Sequence, residues 1–417
     1  MIKPQERFLS DNQGYFGRKE NPLTEAHCNV WDWDQLRMIK VKGSAKVLPP
    51  EEDKECLILA QFADHLSPQV RSITVDDDGL LTEVSMDPNE DDTLFVAYLP
   101  FSMIKSLPGC SLADCRTIYY SELEEIDRLG PSVDLLSYED ESGTPQRVAF
   151  KFNVIQRPLS IRMAWDEVNI LKCLPPHPNI VPFDRVVLED VESRVIGFTT
   201  KYIPGGTLAD PTNLNVPFRF EWLEQLTQLV DFLNLELGIM HQDIAPRNLL
   251  IDPDTNKILL FDFNWAVSRK ELLLDSRDDV IGVVFTLYEI ITNDTHFTSI
   301  PHWDRQMDMV QSISEWTCNR ELDSDVSKFR TFLNEWVARR NGDMERYINA
   351  PNRLTWPDLP TPPDHSVPFQ LGNTRDGEPY MRTGVRSRRT AMKLGQYCFR
   401  WERPPQSRLL KMAKNGV

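Results

Sequence analysis

The side chains best suited to chemistry lie in two short runs, residues 241–248 and residues 260–264. The first run contains Asp243 and, five residues later, Asn248, and the second contains Asp262. Carboxylate and side-chain amide oxygens are hard ligands that suit Mg²⁺. A carboxylate can also accept the proton of a reacting hydroxyl group. The two runs therefore predict a site that combines a divalent cation with an acid–base group.

The elements between and before these runs would position them. Residues 249–251 and 258–261 are strand-like, and the residues between them form a turn, which predicts a hairpin that brings Asn248 and Asp262 to neighbouring strand ends. A strand predicted at 147–152 has Val148, Phe150 and Phe152 on one face, so Lys151 points to the other face.

Other segments show helix and strand patterns. The capping-box pattern of Ser121 and Glu124, followed by Gly130, predicts a short helix between them. Further helices are predicted at 161–174, which carries Glu167, and at 218–237, 280–292 and within 316–340, and further strands at 133–138 and 195–202. Before residue 118 only short strand-like runs stand out, at 57–59, 70–75 and 94–98.

This ordered set of motifs resembles the eukaryotic protein-kinase family over about residues 121–292. Run 241–248 is similar to the family's catalytic loop, and run 260–264 to its metal-binding segment. Residues 148–151 resemble the strand that carries the family's lysine, and residues 201–208 resemble the hinge that binds adenine. The chain also resembles divergent kinase-like proteins found in filamentous fungi.

The resemblance implies ATP and Mg²⁺ as ligands and assigns a role to each matching residue. Asp243 would be the catalytic base, helped by Lys151 and Arg247, and Asn248 and Asp262 would bind the metal. The residues implied in nucleotide binding are Lys151, Glu167, Thr200, Lys201, Tyr202, Gly130 and Ser132.

Several positions depart from the family pattern. Gly130 alone remains of the three glycines in the phosphate loop, so the affinity for ATP is expected to be reduced. Gln242 replaces the arginine that holds a phosphorylated activation loop, and Asn264 replaces a glycine.

The segment after Asp262 is short. Sixteen positions separate Asp262 from Asp278, and no Ala-Pro-Glu motif follows, so the shelf that docks an extended peptide would be truncated. Asp278 or Asp279 is the expected anchor of the buried helix that follows.

The resemblance implies an α+β fold with two lobes, a β-rich N-lobe and a mainly helical C-lobe. We expect an N-terminal extension at 1–118, the N-lobe at 119–202, the C-lobe at 203–348 and a tail at 349–417 that is proline-rich and then basic. The basic end of the tail either stays solvated or folds back on the acidic body as a clamp.

Three functions remain open on the sequence. The first is a phosphotransferase that moves the γ-phosphate of ATP to a hydroxyl group of unknown identity. The second is a pseudokinase that acts as a nucleotide- or protein-binding module, as the eroded glycine loop suggests. The third is a kinase acting on a small molecule, which the missing peptide shelf leaves open.

Composition excludes other classes. The net charge of −17 disfavours nucleic acid and anionic membranes as partners. The start of the chain lacks a secretory signal and no apolar run is long enough to span a bilayer, so we expect a cytoplasmic or nuclear location. The seven cysteines include no Cys-x-x-Cys pair, which disfavours a zinc site. The oligomeric state is left open.

Overall fold

The protein is described from a computed structural model, which covers residues 2–11, 26–49, 53–154, 158–340, 342–361, 367–373, 377–384 and 387–408. Within these ranges no helix is both long and apolar enough to cross a membrane.

The N-terminal extension contains a five-stranded sheet whose spatial order follows the sequence order. Its strands are β1 (Phe8–Asp11), β2 (Ala26–Asp32), β3 (Arg37–Gly43), β4 (Ser72–Val75) and β5 (Leu81–Ser85). In β3 the buried Ile39 and Val41 alternate with lysines, as a sheet with one covered face requires. Helix α1 (Lys54–Phe62) packs on that face.

Two predicted strands of the extension are wrong. Residues 57–59 lie in helix α1, where Leu57 is exposed while Ile58 and Leu59 are buried, and a short apolar run cannot by itself distinguish a helix from a strand. Residues 94–98 form no strand, although Leu94 makes an isolated bridge to Ser387. The strand predicted at 70–75 is confirmed as β4.

A second sheet, with six strands, forms the β-rich lobe. After the short helix α2 (Phe101–Lys105) come β6 (Thr117–Tyr119), β7 (Glu124–Gly130), β8 (Val133–Glu139), β9 (Pro145–Phe152), helix α3 (Pro158–Cys173), β10 (Phe183–Leu188) and β11 (Val195–Lys201). The spatial order is β6-β10-β11-β9-β8-β7, so β9 lies in the middle of the sheet.

The helix predicted between Ser121 and Gly130 is wrong. The capping box that forms joins Tyr119 and Glu122, not Ser121 and Glu124; it caps a single 3-10 turn at Tyr120–Glu122, and the chain then enters strand β7. Arg128 on β7 is fully buried and donates hydrogen bonds to Glu125 and to Asp34 of the extension. These tertiary contacts and the pairing of β7 with β8 outweigh the local helix signal.

The second lobe is mainly helical. Its elements are α4 (Phe220–Asp231), which continues as a π-helical turn at Phe232–Glu236, the hairpin β12 (Leu249–Asp252) and β13 (Lys257–Leu260), and the helices α5 (Asp279–Thr292), α6 (Asp308–Gln311), α7 (Val326–Arg340) and α8 (Met344–Ile348). The predicted apolar stripe of α4 is buried against α5, so the predicted helices at 218–237 and 280–292 are confirmed. Within 316–340 the helix begins only at Val326.

The C-terminal tail runs back over both lobes. Around 349–361 it crosses the helical lobe and reaches helix α3, where Trp356 Nε1 donates to Asp166 at 2.7 Å and Trp165 Nε1 donates to the Pro357 carbonyl at 2.9 Å. The tail then forms the hairpin β14 (Val367–Asn373) and β15 (Pro379–Gly384), and helix α9 (Arg388–Lys393).

Residues 398–406, which we call the C-terminal strap, cover the outer face of the six-stranded sheet. The ring of Trp401 stacks on Phe152 of β9 with the centroids 4.8 Å apart. Arg403 forms a two-pronged ion pair with the buried Asp134 of β8, and its Nε donates to the Asp34 carbonyl at 2.9 Å. Arg388, before the strap, pairs with Asp91 at 2.9 Å. Over residues 387–408 these contacts are those expected of a clamp, not of a solvated tail.

Candidate functional site

Lys151 lies at the centre of the site, on the face of β9 opposite the strap. Its neighbours Phe150 and Phe152 are buried on the other face, so the strand alternation turns Lys151 towards helix α3 and the hairpin. Lys151 Nζ lies 2.8 Å from Glu167 Oε1 and also forms an ion pair with Asp262. One ammonium group thus joins the sheet, helix α3 and the segment after β13.

The charges in this group shift one another's pKa values. Burial alone would lower the pKa of Lys151, but the Asp262 and Glu167 carboxylates outweigh it and hold that pKa well above its ordinary value. Burial raises the pKa of Glu167 to about 7, only partly offset by Lys151. Burial would also raise the pKa of Asp262, but the attraction of Lys151 outweighs it and lowers this pKa. Lys151 and Asp262 thus each favour the charged form of the other.

The β12–β13 hairpin brings the two predicted metal ligands side by side. Leu249 pairs with Leu260, and the Phe261 N–H donates to the Asn248 carbonyl at 3.2 Å. Asn248, just before β12, and Asp262, just after β13, therefore lie at neighbouring ends of the two strands. Asp262 has a left-handed backbone with φ of 62°, which turns its carboxylate away from the strand direction.

Asp243 is surrounded by donors. Asn248 Nδ2 donates to both the Asp243 carbonyl and its Oδ2 at 2.8 Å. Asp243 Oδ1 accepts from Arg247 at 2.6 Å and is 3.4 Å from Nη1 of Arg277. The carboxylate is 15% exposed and is held in one orientation by these three side chains. Arg277 was not identified from the sequence, because it lies thirty-four positions after Asp243 in an irregular segment.

The loop that carries Asp243 is anchored by Asp279 at the start of α5. The buried Asp279 carboxylate accepts from the backbone N–H groups of His241 and Gln242 at 2.8 and 2.7 Å, and from Asn234 Nδ2 at 2.8 Å. Burial raises the pKa of Asp279, in part against these donors. Asp278 instead caps α5 by accepting from its first N–H groups. Of the two anchors that the sequence left open, the geometry selects Asp279.

Gln242 connects this loop to the segment after Asp262, a role that the sequence did not predict. Its Nε2 donates to the Trp265 carbonyl at 2.8 Å, and its Oε1 accepts from the Leu274 N–H at 2.7 Å. Gln242 has a left-handed backbone with φ of 63° and is 4% exposed. A neutral amide thus holds the segment in place by hydrogen bonds alone.

Comparison with known protein families finds a match for the part of the chain that contains Lys151, Asp243 and Asp262. Residues 141–303 match the family model of the protein kinase domain. These residues form a protein-kinase-like domain. The two-lobed α+β architecture agrees with it, so the predicted fold class is confirmed.

Three curated relatives that carry kinase names match the chain over short stretches. CBL-interacting serine/threonine-protein kinase 5 of Arabidopsis thaliana is 28% identical over 132 residues, which is 31% of this chain and 28% of the relative. Casein kinase II subunit alpha' of Saccharomyces cerevisiae is 28% identical over 116 residues, 27% of this chain and 33% of the relative. A putative serine/threonine-protein kinase/receptor of Acanthamoeba polyphaga mimivirus is 30% identical over 138 residues, 31% of this chain and 8% of the relative. The chain thus spans a third or less of each relative's length.

The turn between β7 and β8, predicted from the sequence to bind phosphate, offers few backbone N–H groups. Strands β7 and β8 are joined by Pro131 and Ser132, which directly follow Gly130. Pro131 has no N–H to offer, and Ser132, with φ of 61°, accepts from the Phe152 N–H through its carbonyl at 3.1 Å. Few main-chain donors therefore face a phosphate here.

The predicted hinge residues lie at the end of β11, the strand whose Phe198 pairs with Lys151. Thr200 pairs with Ala149 of β9. The N–H groups of Lys201 and Tyr202 already donate to the carbonyls of Pro182 and Arg147, at 3.0 and 3.3 Å. Hydrogen bonds from these two residues to an adenine would therefore have to use their carbonyl oxygens.

A cavity of about 450 Å³ opens beside Lys151 and Glu167, between helix α3 and the sheet. Its walls are mostly apolar and include Val186, Phe198 and Trp33 of the N-terminal extension. Asn264, which replaces the family's glycine, lines it and has a buried Oδ1 that lacks a hydrogen-bond partner among the described residues. The extension thus contributes to the surroundings of the site.

The side-chain oxygens of Asn248 and Asp262 suit Mg²⁺ if a bound nucleotide supplies further ligands. Within the part of the chain that the structure describes, no three His, Cys, Asp or Glu side chains lie together as a metal site. Asn248 and Asp262 offer one amide and one carboxylate oxygen, and Asn248 donates through Nδ2, which leaves its Oδ1 as the ligand atom. Mg²⁺ commonly binds through one or two such groups and takes its other ligands from phosphates and water.

Proposed function

We propose that the kinase-like domain is an ATP-dependent phosphotransferase that moves the γ-phosphate to a hydroxyl group. The observation that carries the proposal is the contact of one ammonium group, on Lys151, with both Glu167 and Asp262. A lysine fixed in this way can neutralise phosphate charge at a defined position beside the metal-binding carboxylate.

The chain's own residues divide the work. Lys151, oriented by Glu167, binds phosphate oxygens. Asn248 and Asp262 would hold Mg²⁺, which would supply charge neutralisation and alignment for the transferred group. Asp243 orients the acceptor hydroxyl and accepts its proton as the hydroxyl oxygen bonds to the γ-phosphorus. The bond from that phosphorus to the β–γ bridging oxygen breaks at the same time, and ADP leaves with this oxygen.

Two alternatives remain. A pseudokinase that only binds a nucleotide or a protein is favoured by the sparse loop at Pro131 and Ser132. A small-molecule kinase is favoured by the short segment between Asp262 and α5, which contains only 3-10 turns and offers no extended peptide shelf. The remaining assignments, Thr200, Lys201, Tyr202 and the lobe boundaries at 119–202 and 203–348, are part of the same proposal.

The test combines nucleotide binding with turnover. We expect ATP to raise the melting temperature only when Mg²⁺ is present, and Asp262→Asn to abolish this shift. Asp243→Asn should keep the shift but lower γ-phosphate transfer or ATP hydrolysis by roughly 10²–10⁴-fold, the range for loss of a general base.

Asp254→Asn is the matched control, because Asp254 lies exposed at the turn of the same hairpin. Its shift and turnover should equal those of the wild type. A melting shift that is independent of Mg²⁺, together with equal residual turnover in wild type and Asp262→Asn, would favour the pseudokinase instead.

A further inference from the structure

Two guanidinium groups contact Asp243 and a third follows an adjoining turn, in a chain whose net charge is −17. They belong to Arg247, Arg277 and Arg305, which we call the arginine cluster. Arg247 is 60% exposed and pairs with Asp243 at 2.6 Å, so it is accessible from solvent. An accumulation of positive charge in an acidic protein calls for a specific explanation, because the chain's overall field does not supply one.

Arg277 is fixed in place by its neighbours. Its guanidinium lies 4.0 Å over the ring of Trp265, and its Nη1 donates to the Gln242 carbonyl at 3.2 Å. The side chain is 16% exposed, and its buried Nε lacks a hydrogen-bond partner among the described residues. The contact with Asp243, at 3.4 Å, is longer than a good charge-assisted hydrogen bond. Arg277 is therefore well positioned but incompletely paired.

Arg305 has no carboxylate within ion-pairing distance in the described part of the chain. Its Nε donates to the Ile300 carbonyl at 2.9 Å and its Nη2 to the Thr298 carbonyl at 3.1 Å. The turn just before it, His302–Asp304, packs against the turn Asp275–Arg277 that carries Arg277. Backbone carbonyls thus fix the guanidinium of Arg305 near Arg277 without neutralising its charge.

The electrostatics agree with an excess of positive charge. Burial, together with repulsion from Arg247, lowers the pKa values of Arg277 and Arg305 despite the attraction of Asp243. The other carboxylate that acts on the cluster, Glu289, has its pKa raised by burial. The pKa of the neighbouring His302 is lowered by burial and by the charges of Arg277 and Arg305, both partly buried. An anion would be stabilised at this position.

We propose that the acceptor carries an anionic group beside its reactive hydroxyl and that Arg247, Arg277 and Arg305 bind this group. This inference rests on the proposed phosphotransferase function and names the class of its substrate. The anion is a carboxylate or a phosphate, since a guanidinium binds both through paired N–H donors. By drawing Arg247 and Arg277 towards itself, the anion would also free Asp243 Oδ1 to accept from the hydroxyl.

The test uses four acceptor probes. Three are peptides with one serine flanked by glutamates, by glutamines or by lysines, and the fourth is a small alcohol that carries a phosphate monoester. Transfer is measured with Mg²⁺ and ATP, and binding of fluorescent peptides is measured separately by anisotropy with no nucleotide present. We expect the glutamate peptide or the phosphate monoester to exceed the glutamine peptide by about tenfold or more in kcat/KM, and the lysine peptide to be the poorest.

Arg305→Gln should lower the ratio of kcat/KM for the anionic probe to that for the glutamine peptide by about tenfold, and should leave the KM for ATP unchanged. Arg330→Gln is the matched control, because Arg330 is likewise held by two backbone carbonyls, those of Ser314 and Ile313, and makes no contact with the cluster that the structure records. It should keep the wild-type preference.

The outcomes separate the two proposals. Equal use and equal binding of the glutamate and glutamine peptides and of the phosphate monoester would overturn the inference, as would a preference that Arg305→Gln leaves intact. Absence of all transfer, with the glutamate peptide still bound and Arg305→Gln weakening that binding, would support an anion site while refuting the phosphotransferase. A preference for the monoester over the glutamate peptide would identify a small molecule as the source of the anion.

Discussion

Replacing Trp401 with alanine removes the largest apolar contact between the C-terminal strap and strand β9. Trp401 is 8% exposed and touches Phe152 and Phe150 as well as Tyr120, and its Nε1 donates to Tyr98 Oη at 2.9 Å. Truncating a buried aromatic side chain costs about 3–5 kcal/mol of unfolding free energy. The site is near the surface, so water can fill part of the space, and we expect a loss near the lower end.

The lost hydrogen bond to Tyr98 adds about 1 kcal/mol, which brings the expected total to about 4 kcal/mol. Urea unfolding followed by circular dichroism measures it. The matched control is Trp303→Ala, because Trp303 is 67% exposed and should change the unfolding free energy by no more than about 0.5 kcal/mol. Truncation after residue 408 is a second control that keeps the strap, whereas truncation after residue 397 removes it.

The loss should be concentrated in the β-rich lobe. Hydrogen exchange of the β9 amides, residues 145–152, should accelerate in Trp401→Ala, because the strand loses its cover on the face opposite Lys151. The reasoning is refuted if Trp401→Ala and Trp303→Ala unfold at the same urea concentration and β9 exchange is unchanged. The strap would then lie on the sheet without stabilising it.

Three further predictions concern buried charges. Arg403→Met leaves Asp134, which is 1% exposed, without its ion-pair partner and should lower the unfolding free energy by about 3–5 kcal/mol. Adding Asp134→Asn should restore a large part of this loss. A double-mutant cycle measured in urea that gives no coupling between the two positions would contradict the prediction. Asp279→Ala leaves three buried N–H donors without an acceptor and should lower the unfolding free energy by more than about 3 kcal/mol. Asp278→Ala removes only a helix cap, which is worth about 1 kcal/mol. Equal unfolding free energies for the two variants would exclude the anchoring role of Asp279. The pKa of Glu167 is raised from 4.5 to about 7, so its contribution to stability is present at acid pH and is lost as the pH rises through 7. Between pH 5 and pH 8 the unfolding free energy of Glu167→Gln should therefore rise by on the order of 1–3 kcal/mol relative to that of the wild type. A difference in urea midpoints that stays constant over this range would show that the carboxyl does not titrate in it.

The sequence predicted the parts of the molecule that local pattern controls. The leucine stripe of α4, the alternation around Lys151 and the turn of the β12–β13 hairpin each depend on residues close in sequence, and each lies where the pattern indicated. The distances between the polar residues of the site follow from these elements, because the hairpin and α3 leave little freedom in how Lys151, Glu167 and Asp262 can meet.

The failures have a common physical cause. Residues 124–130 form a strand because Arg128 is buried among groups far away in the chain, including the Pro404 carbonyl. Arg277 and Gln242 meet through a segment without periodic pattern. The pair of Arg403 and Asp134 joins positions 269 residues apart. No local rule reports on such contacts, so the strap, the arginine cluster and strand β7 could be found only in three dimensions.

The contacts of β9 also argue that the functional unit is larger than the matched residues 141–303. A fragment with those limits would lack β6, β7 and β8, and with them the turn at Pro131 and Ser132 and the buried Asp134. It would also expose Phe150 and Phe152, which the strap now covers, on the strand that carries Lys151. Exposed aromatic faces in a sheet that lacks three of its six strands favour aggregation over folding. The extension and the tail therefore complete the β-rich lobe, and Lys151 depends on them for the rigidity of its strand.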